Sequence, residues 1–216
     1  MNKELLLHAG TATVSDALDM LNINNGLGSI IKPLKFGMRC VGPAFTLQVE
    51  PVQPGESGKA GDYIDEVQAG EVIVVANRGE TECTVWGDIL SRLAVRKGIA
   101  GTVVDGSCRD ADSIVESGYP VFSRSAYMKS GKGRTTLKAI NVPVKIGETM
   151  VVPGDIICAD SSGVVVIPKD KLSQVESIVS EIIDMEQKVE ALVEQGVPLK
   201  EARERLNYNY YGRKAN

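Results

Sequence analysis

Residues 101–122 read GTVVDGSCRDADSIVESGYPVF, and the order of features within them decides the fold. GTVVDG is a short apolar run of the kind that forms a fully buried strand. In residues 107–118, SCRDADSIVESG, Arg109 and Asp110 open a short helix that Gly118 closes, and PVF at 120–122 resumes as strand. Upstream, GEVIVVA at 70–76 repeats the buried-strand pattern. It is followed by DILSRLAVRK at 88–97, a helix with Asp88 in the cap or first turn and Gly98 at its stop. The order is β-α-β-α-β. Further out, residues 37–49 are β-prone, and ATVSDALDMLN at 12–22 carries Val14, Ala17, Leu18 and Leu21 at helical spacing. Downstream, INVPVKIG, TMVVPGDIICAD and GVVVIP are β-like runs separated by Gly, Pro and Asp turns, which predicts a second, more antiparallel layer. A long amphipathic helix over 169–195 and a short one over 199–205 complete a mixed α/β fold with two β layers flanked by helices.

The chain has 216 residues, 43% hydrophobic and 24% charged, enough for one sizeable core without disulfides or a structural metal. Its net charge of −4 argues against a nucleic-acid partner held by a basic surface. Four cysteines, at 40, 83, 108 and 158, lie far apart with no CxxC spacing and read as reduced thiols. No apolar run is long enough to cross a membrane and the N-terminus lacks a signal-peptide pattern, so a cytoplasmic location is expected. The single histidine, His8, removes His-rich zinc sites and most Ser-His-Asp or Cys-His machinery. Any chemistry must then use carboxylates, Arg, Lys, backbone amides or a hard metal ion.

In such α/β units the carboxyl ends of buried strands and the helix N-termini that follow them face one crevice, the usual ligand site. Two junctions qualify. At Gly87-Asp88-Ile89-Leu90 a glycine admits a ligand to backbone amides, and the helix start favours an anion such as a carboxylate. At 105–110, DGSCRD, Arg109 offers a fork for a carboxylate, and Asp110 offers hard oxygens for Mg²⁺ or Mn²⁺. The alternative is structural: Arg109 pairs with Asp88 or Asp105, and Asp110 is a first-turn acid. The residues alone leave both readings open.

Asp88, twenty intervening residues, then Arg109-Asp110 resembles the signature of the regulator of ribonuclease activity A-like superfamily, and within it the class II 4-hydroxy-4-methyl-2-oxoglutarate/4-carboxy-4-hydroxy-2-oxoadipate aldolases. GDIL at 87–90, Ala94, Gly98, Gly101, VDG at 104–106, PGD at 153–155 and GVVVIP at 163–168 are also similar to that family, over roughly residues 10 to 196. The resemblance implies the swivelling β/β/α fold and retro-aldol cleavage of a 4-hydroxy-2-oxo acid to pyruvate plus a second carbonyl compound. Oxaloacetate decarboxylation through the same pyruvate enolate goes with it. It further implies that Asp110 holds Mg²⁺ or Mn²⁺, that Arg109 grips the pyruvoyl group, and that Asp88 orders the water around the metal. The amides of Gly87, Asp88, Ile89 and Leu90 would bind the substrate carboxylate.

Glu186 interrupts the apolar stripe Leu172, Val175, Val179, Ile182, Val189, Val193 of the long helix. It is either a paired interface acid or, as the resemblance implies, a catalytic glutamate reaching a neighbouring subunit's site. The segment 123–138 carries Arg124, Lys129, Lys132, Arg134 and Lys138. It is a solvated basic loop or a contact for a distal carboxylate or phosphate. Residues 1–196 are expected to form the family domain. Residues 197–216, with Tyr208, Tyr210 and Tyr211, are expected to form a C-terminal helix and tail that packs on a neighbour, and the resemblance implies that the assembly is a homotrimer or hexamer. The rival reading is a non-catalytic binding protein of the ribonuclease E inhibitor type, which has no reason to keep Asp88, Arg109 and Asp110 together.

Overall fold

A computed structural model of the chain describes residues 1–53, 58 and 62–208. Four parallel strands form its centre: β2 (Cys40–Pro51), β3 (Val72–Trp86), β4 (Gly101–Cys108) and β5 (Val121–Ala126). A two-residue strand β1 (Lys32–Pro33) lies antiparallel on β5 at one edge. On the other side, the first residues of β2 pair antiparallel with β9 (Ile156–Ala159), which pairs with β10 (Val164–Ile167). The last residues of β2 pair instead with β6 (Thr135–Ile140), after a register shift at Gln48/Val49. β2 thus serves two neighbours along its length, and the sheet curls into a nearly closed, barrel-like form. The expected antiparallel layer exists, but β9 and β10 continue the first sheet through β2. β7 (Val144–Ile146) and β8 (Thr149–Val151) form a separate two-stranded ribbon.

The alternation of side chains explains why the sheet is covered on both faces. Val72, Val74 and Ala76 of β3 point inward with Val103, Phe122, Ile157 and Val166, where Val144, Ile146 and Val151 of the ribbon join them. Ile73 and Val75 point outward with Val104, Ala94 and Ile114. There the sheet is covered by α2 (Asp88–Lys97), α3 (Ala111–Ser117) and a 3-10 turn over Asp62–Asp65. The outer side of β9 and β10 (Ile156, Cys158, Val165, Ile167) is covered by α1 (Lys3–Met20) and α4 (Leu172–Glu194) through Leu6, Val14, Leu18, Val175, Val179 and Ile182.

α2 has the limits the sequence predicts: Gly98 ends it at φ 69°, and its amide bonds back to Ala94 O and Val95 O. α1 starts earlier than expected and kinks at Gly10, φ 74° and ψ 173°, where the Asp160 carboxylate caps Thr11 instead of the helix continuing. α5 (Leu199–Arg205) has its predicted limits and packs back on α4 with Ala202 buried. Tyr208 lies over Arg203, 5.3 Å from its ring centroid, whereas Tyr210 and Tyr211 fall outside the described residues. Among the described residues no helix is long and apolar enough to cross a membrane.

Candidate active site

The two predicted junctions meet because β3 and β4 run parallel, with Trp86 opposite Cys108. The first residue beyond each strand therefore stands beside the other: the Arg109 amide donates to Trp86 O at 3.0 Å. The α2 crossover fills the gap, so a twenty-residue spacing in sequence becomes direct adjacency. Gly87 precedes α2 in extended backbone, and no side chain caps the helix. A Cβ on Gly87 would stand 2.8 Å from Asp110 Oδ2 and 3.3 Å from Arg109 Cγ, so only glycine lets the two loops close to this distance. Trp86 is fixed beneath them: its Nε1 donates to Ser91 Oγ at 2.8 Å, and its ring stacks on Tyr119.

Asp110 does not open its helix as an ordinary first-turn acid. It occupies the cap position of α3 in the left-handed conformation, φ 58° and ψ 37°, without capping its own helix. That conformation is uncommon for a residue with a side chain. Its Oδ2 accepts instead from the Asp88 amide at 3.2 Å and lies 3.3 Å from Arg109 Nε. The structural alternative for Arg109 is not realised, because its proposed partners are engaged elsewhere. Asp88 pairs with Arg92 at 2.7 Å. Asp105, nearly fully buried, pairs with Arg124 at 2.6 Å and accepts from the Gly79 amide at 3.1 Å. Arg109 remains about half exposed, with a side-chain accessibility of 40%.

A cavity of about 480 Å³ opens at this junction. Gly87, Asp88, Ile89, Leu90 and Arg109 line it, and Asp110 sits directly behind through its bond to Asp88. The first-turn amides of Ile89 and Leu90 have no intrahelical acceptor and are available to an anion. The basic segment 123–138 is partly strand, but its turn forms one wall. Ser130, Gly131 and Lys132 line the cavity, held by Thr84, whose amide and hydroxyl both donate to Lys129 O at 3.0 and 3.1 Å. Glu186 is not at this cavity. It lies on α4, and burial together with the nearby Glu186 charge pushes the Tyr208 phenol up.

Sequence reasoning missed Tyr63, Val49, Val75 and Leu137, which complete the cavity from four separate segments. No local motif marks them. Burial pushes the Cys108 thiol up, so it stays protonated behind the site and is no nucleophile. Among the described residues no three or more His, Cys, Asp or Glu side chains cluster as a metal cage. The carboxylates at the junction are Asp110 and Asp88, the latter paired with Arg92; such a set would fit only a hard divalent ion that keeps several waters and takes its remaining oxygens from a ligand.

A curled α/β sheet thus brings a guanidinium, a carboxylate and an uncapped helix start together at adjacent strand ends, beside one cavity. Residues 11–166 match the family model described as RraA-like, Aldolase/RraA, and the chain belongs to that family. It is 42% identical over 205 residues to "Protein DlpA" of Legionella pneumophila subsp. pneumophila, covering 94% of this chain but 33% of that protein. The chain thus spans about a third of that relative's length. It is 38% identical over 159 residues to a Halalkalibacterium halodurans protein named "Putative 4-hydroxy-4-methyl-2-oxoglutarate aldolase", covering 74% of this chain and 72% of that one. Among solved structures it is similar to Streptomyces coelicolor RraAS2, titled an unusual member of the RNase ES inhibitor RraA protein family. There the TM-score is 0.78 at 34% identity, over 90% of this chain and 96% of that one.

Proposed function

We propose that this protein is a divalent-metal-dependent lyase that cleaves a 4-hydroxy-2-oxo acid to pyruvate and a second carbonyl compound, and decarboxylates oxaloacetate through the same enolate. The observation that carries the reading is the convergence of Arg109 and Asp110 on the uncapped N-terminus of α2, over a cavity of organic-acid size. The name of the Halalkalibacterium relative supports it.

In this reading the carboxylate of the 2-oxo acid lies on the amides of Ile89 and Leu90, and the guanidinium of Arg109 takes the pyruvoyl oxygens bidentately. Breaking the C3–C4 bond leaves its electron pair on the pyruvoyl half as an enolate, while the C4 hydroxyl loses its proton and becomes a carbonyl. Protonation at C3 gives pyruvate. In oxaloacetate the same bond breaks with loss of CO₂. Arg109 stabilises the charge that develops on the enolate oxygen, in a position fixed before reaction by the Arg109–Trp86 backbone bond. Asp110, aided by Asp88, would hold Mg²⁺ or Mn²⁺, which when bound supplies Lewis-acid polarisation of the 2-oxo group.

Glu186 joins this site only if a neighbouring copy brings it there, as a homotrimer or hexamer would. Ile89, 67% exposed beside the cavity, supports a subunit contact at that face. The second reading, a non-catalytic regulator, draws on the ribonuclease-inhibitor title of the Streptomyces neighbour. Pyruvate release from oxaloacetate with Mg²⁺ against EDTA separates the two: metal-dependent release supports the lyase, and none with either supports the regulator.

A further inference from the structure

The cavity is larger than a pyruvoyl group needs, and its two kinds of wall differ in chemistry. Arg109, Asp88 and the α2 turn supply the charged part at the strand ends. Val49 of β2, Val75 and Val85 of β3, Leu90 of α2 and Leu137 of β6 form an aliphatic wall, and the turn with Ser130, whose Oγ accepts from the Lys132 amide, closes the opposite side. The two threonines in the lining, Thr84 and Thr135, donate to Lys129 O and Gly131 O at 3.1 and 3.3 Å, so their hydroxyls are engaged. Besides Arg109, the one cation among the described lining residues is Lys132, on the exposed turn. A second substrate carboxylate drawn to Lys132 would leave the aliphatic wall facing water.

Tyr63 is the exception in that wall. Its side chain is buried to 6% exposure among Val49, Val75 and their neighbours, and it lines the cavity. Its hydroxyl has no hydrogen-bond partner among the described residues. The ring is buried while the hydroxyl oxygen is not among the fully buried unpartnered atoms, so it opens on the cavity, where a ligand oxygen can pair with it. An unpartnered hydroxyl in an otherwise apolar wall fits a ligand that brings one neutral oxygen and no second charge.

We infer that the substrate half beyond C3 is uncharged and mainly apolar, and that the Tyr63 hydroxyl donates a hydrogen bond to its one neutral oxygen. The preferred aldol is a 4-hydroxy-2-oxo monocarboxylic acid with a hydrocarbon substituent at C4 rather than a dicarboxylic aldol; oxaloacetate has no acceptor half beyond the carboxylate that leaves as CO₂. The inference rests on the 2-oxo acid reading of the Arg109 mouth. Tyr63 is a specificity-determining residue for the acceptor half, and Arg109 holds the half common to all substrates.

The test is binding to the Mg²⁺-loaded protein, read by quenching of Trp86, the chain's single tryptophan, which itself lines the cavity, and by the shift in Tm. From pyruvate through 2-oxobutanoate and 2-oxopentanoate to 2-oxohexanoate, Kd should fall about threefold per methylene. 2-Oxoglutarate should bind about tenfold more weakly than 2-oxohexanoate. In Tyr63→Phe, 2,4-dioxopentanoate, which carries an oxygen at C4, should bind about three- to tenfold more weakly than to the unaltered protein. 2-Oxopentanoate should bind both alike. A Kd that is flat with chain length, 2-oxoglutarate binding more tightly than 2-oxohexanoate, or no ligand giving either signal overturns the apolar subsite. Equal loss of both C5 ligands in Tyr63→Phe, or loss of neither, overturns the role of the hydroxyl. Oxaloacetate decarboxylation on the same preparation is scored separately. The expected length series without decarboxylation overturns the lyase and keeps the subsite, and decarboxylation with a flat series does the reverse.

Discussion

Asp110 Oδ2 accepts a hydrogen bond from the backbone amide of Asp88 at 3.2 Å, so the two acidic positions of the motif are joined by main chain to side chain across parallel strands. This bond replaces the usual cap of α3 and orients the Asp110 carboxylate from behind the cavity. Gly87 makes the approach possible. In Gly87→Ala the new Cβ would stand 2.8 Å from Asp110 Oδ2 and 3.3 Å from Arg109 Cγ, so both groups must shift. Pyruvate release should fall at least about tenfold, the scale on which displacement of a reacting group acts. Because Gly87 backbone is extended, circular dichroism and Tm should change little; a large loss of Tm with normal activity per folded molecule would contradict this.

Arg109→Lys keeps the charge and removes the planar fork. On the lyase reading, a point charge on a flexible stem would not match both pyruvoyl oxygens. Steady-state kinetics with oxaloacetate should show kcat/KM lower by about 100-fold, with a Tm close to that of the unaltered protein, since Arg109 is partly exposed and supports no buried group.

Arg124 has the opposite profile. It is the ionic partner of Asp105, whose side chain is 3% exposed, and its removal leaves a carboxylate buried without a cation. Arg124→Met should destabilise the fold by about 3–5 kcal/mol. The urea midpoint should fall accordingly, and Asp105→Asn in the same background should recover part of the loss.

Asp160 ties α1 to the β9–β10 turn by accepting from the amide and hydroxyl of Thr11 at 2.8 and 2.7 Å and from the Ser162 amide at 2.8 Å. Burial alone would raise its pKa, but these bonds, with one involving the Gly163 backbone, outweigh burial and hold it below the usual carboxylate value. A pKa lowered on folding adds stability that is fully present above the unfolded value, about 3.9, and is lost as pH falls through the lower folded value. Asp160→Asn should cost about 1 kcal/mol near neutrality. In paired thermal melts that difference should shrink below about pH 4; a gap that widens toward acid would contradict the assignment.

How far the sequence could be read follows from how local each feature is. α2 and α5 have their predicted limits because each limit is set within the segment, as by Gly98 after α2. β3 was expected to end at Ala76, yet it runs to Trp86 through the polar stretch 77–85. There Arg78 and Gly79 take positive φ and the pairing with β4 shifts register three times, a bulged path that no two-residue alternation encodes. The early turns of α1 were missed because Asp160, far away in sequence, caps the second half past Gly10. The polar, strand-end half of the site was legible because strand-end glycines and helix starts are local signals. Its apolar half was not, because Val49, Tyr63, Val75 and Leu137 meet only once β2, β3 and β6 are paired.

The most direct test is pyruvate release from oxaloacetate and from 4-hydroxy-4-methyl-2-oxoglutarate, with Mg²⁺ or EDTA, by the unaltered protein and by Asp110→Ala. The lyase account predicts release from oxaloacetate that requires Mg²⁺ and is lost in Asp110→Ala, with slower release from the dicarboxylic aldol if the acceptor half is apolar. Release that survives EDTA or the loss of Asp110, or a folded, Mg²⁺-loaded protein that releases no pyruvate from either compound, would contradict it.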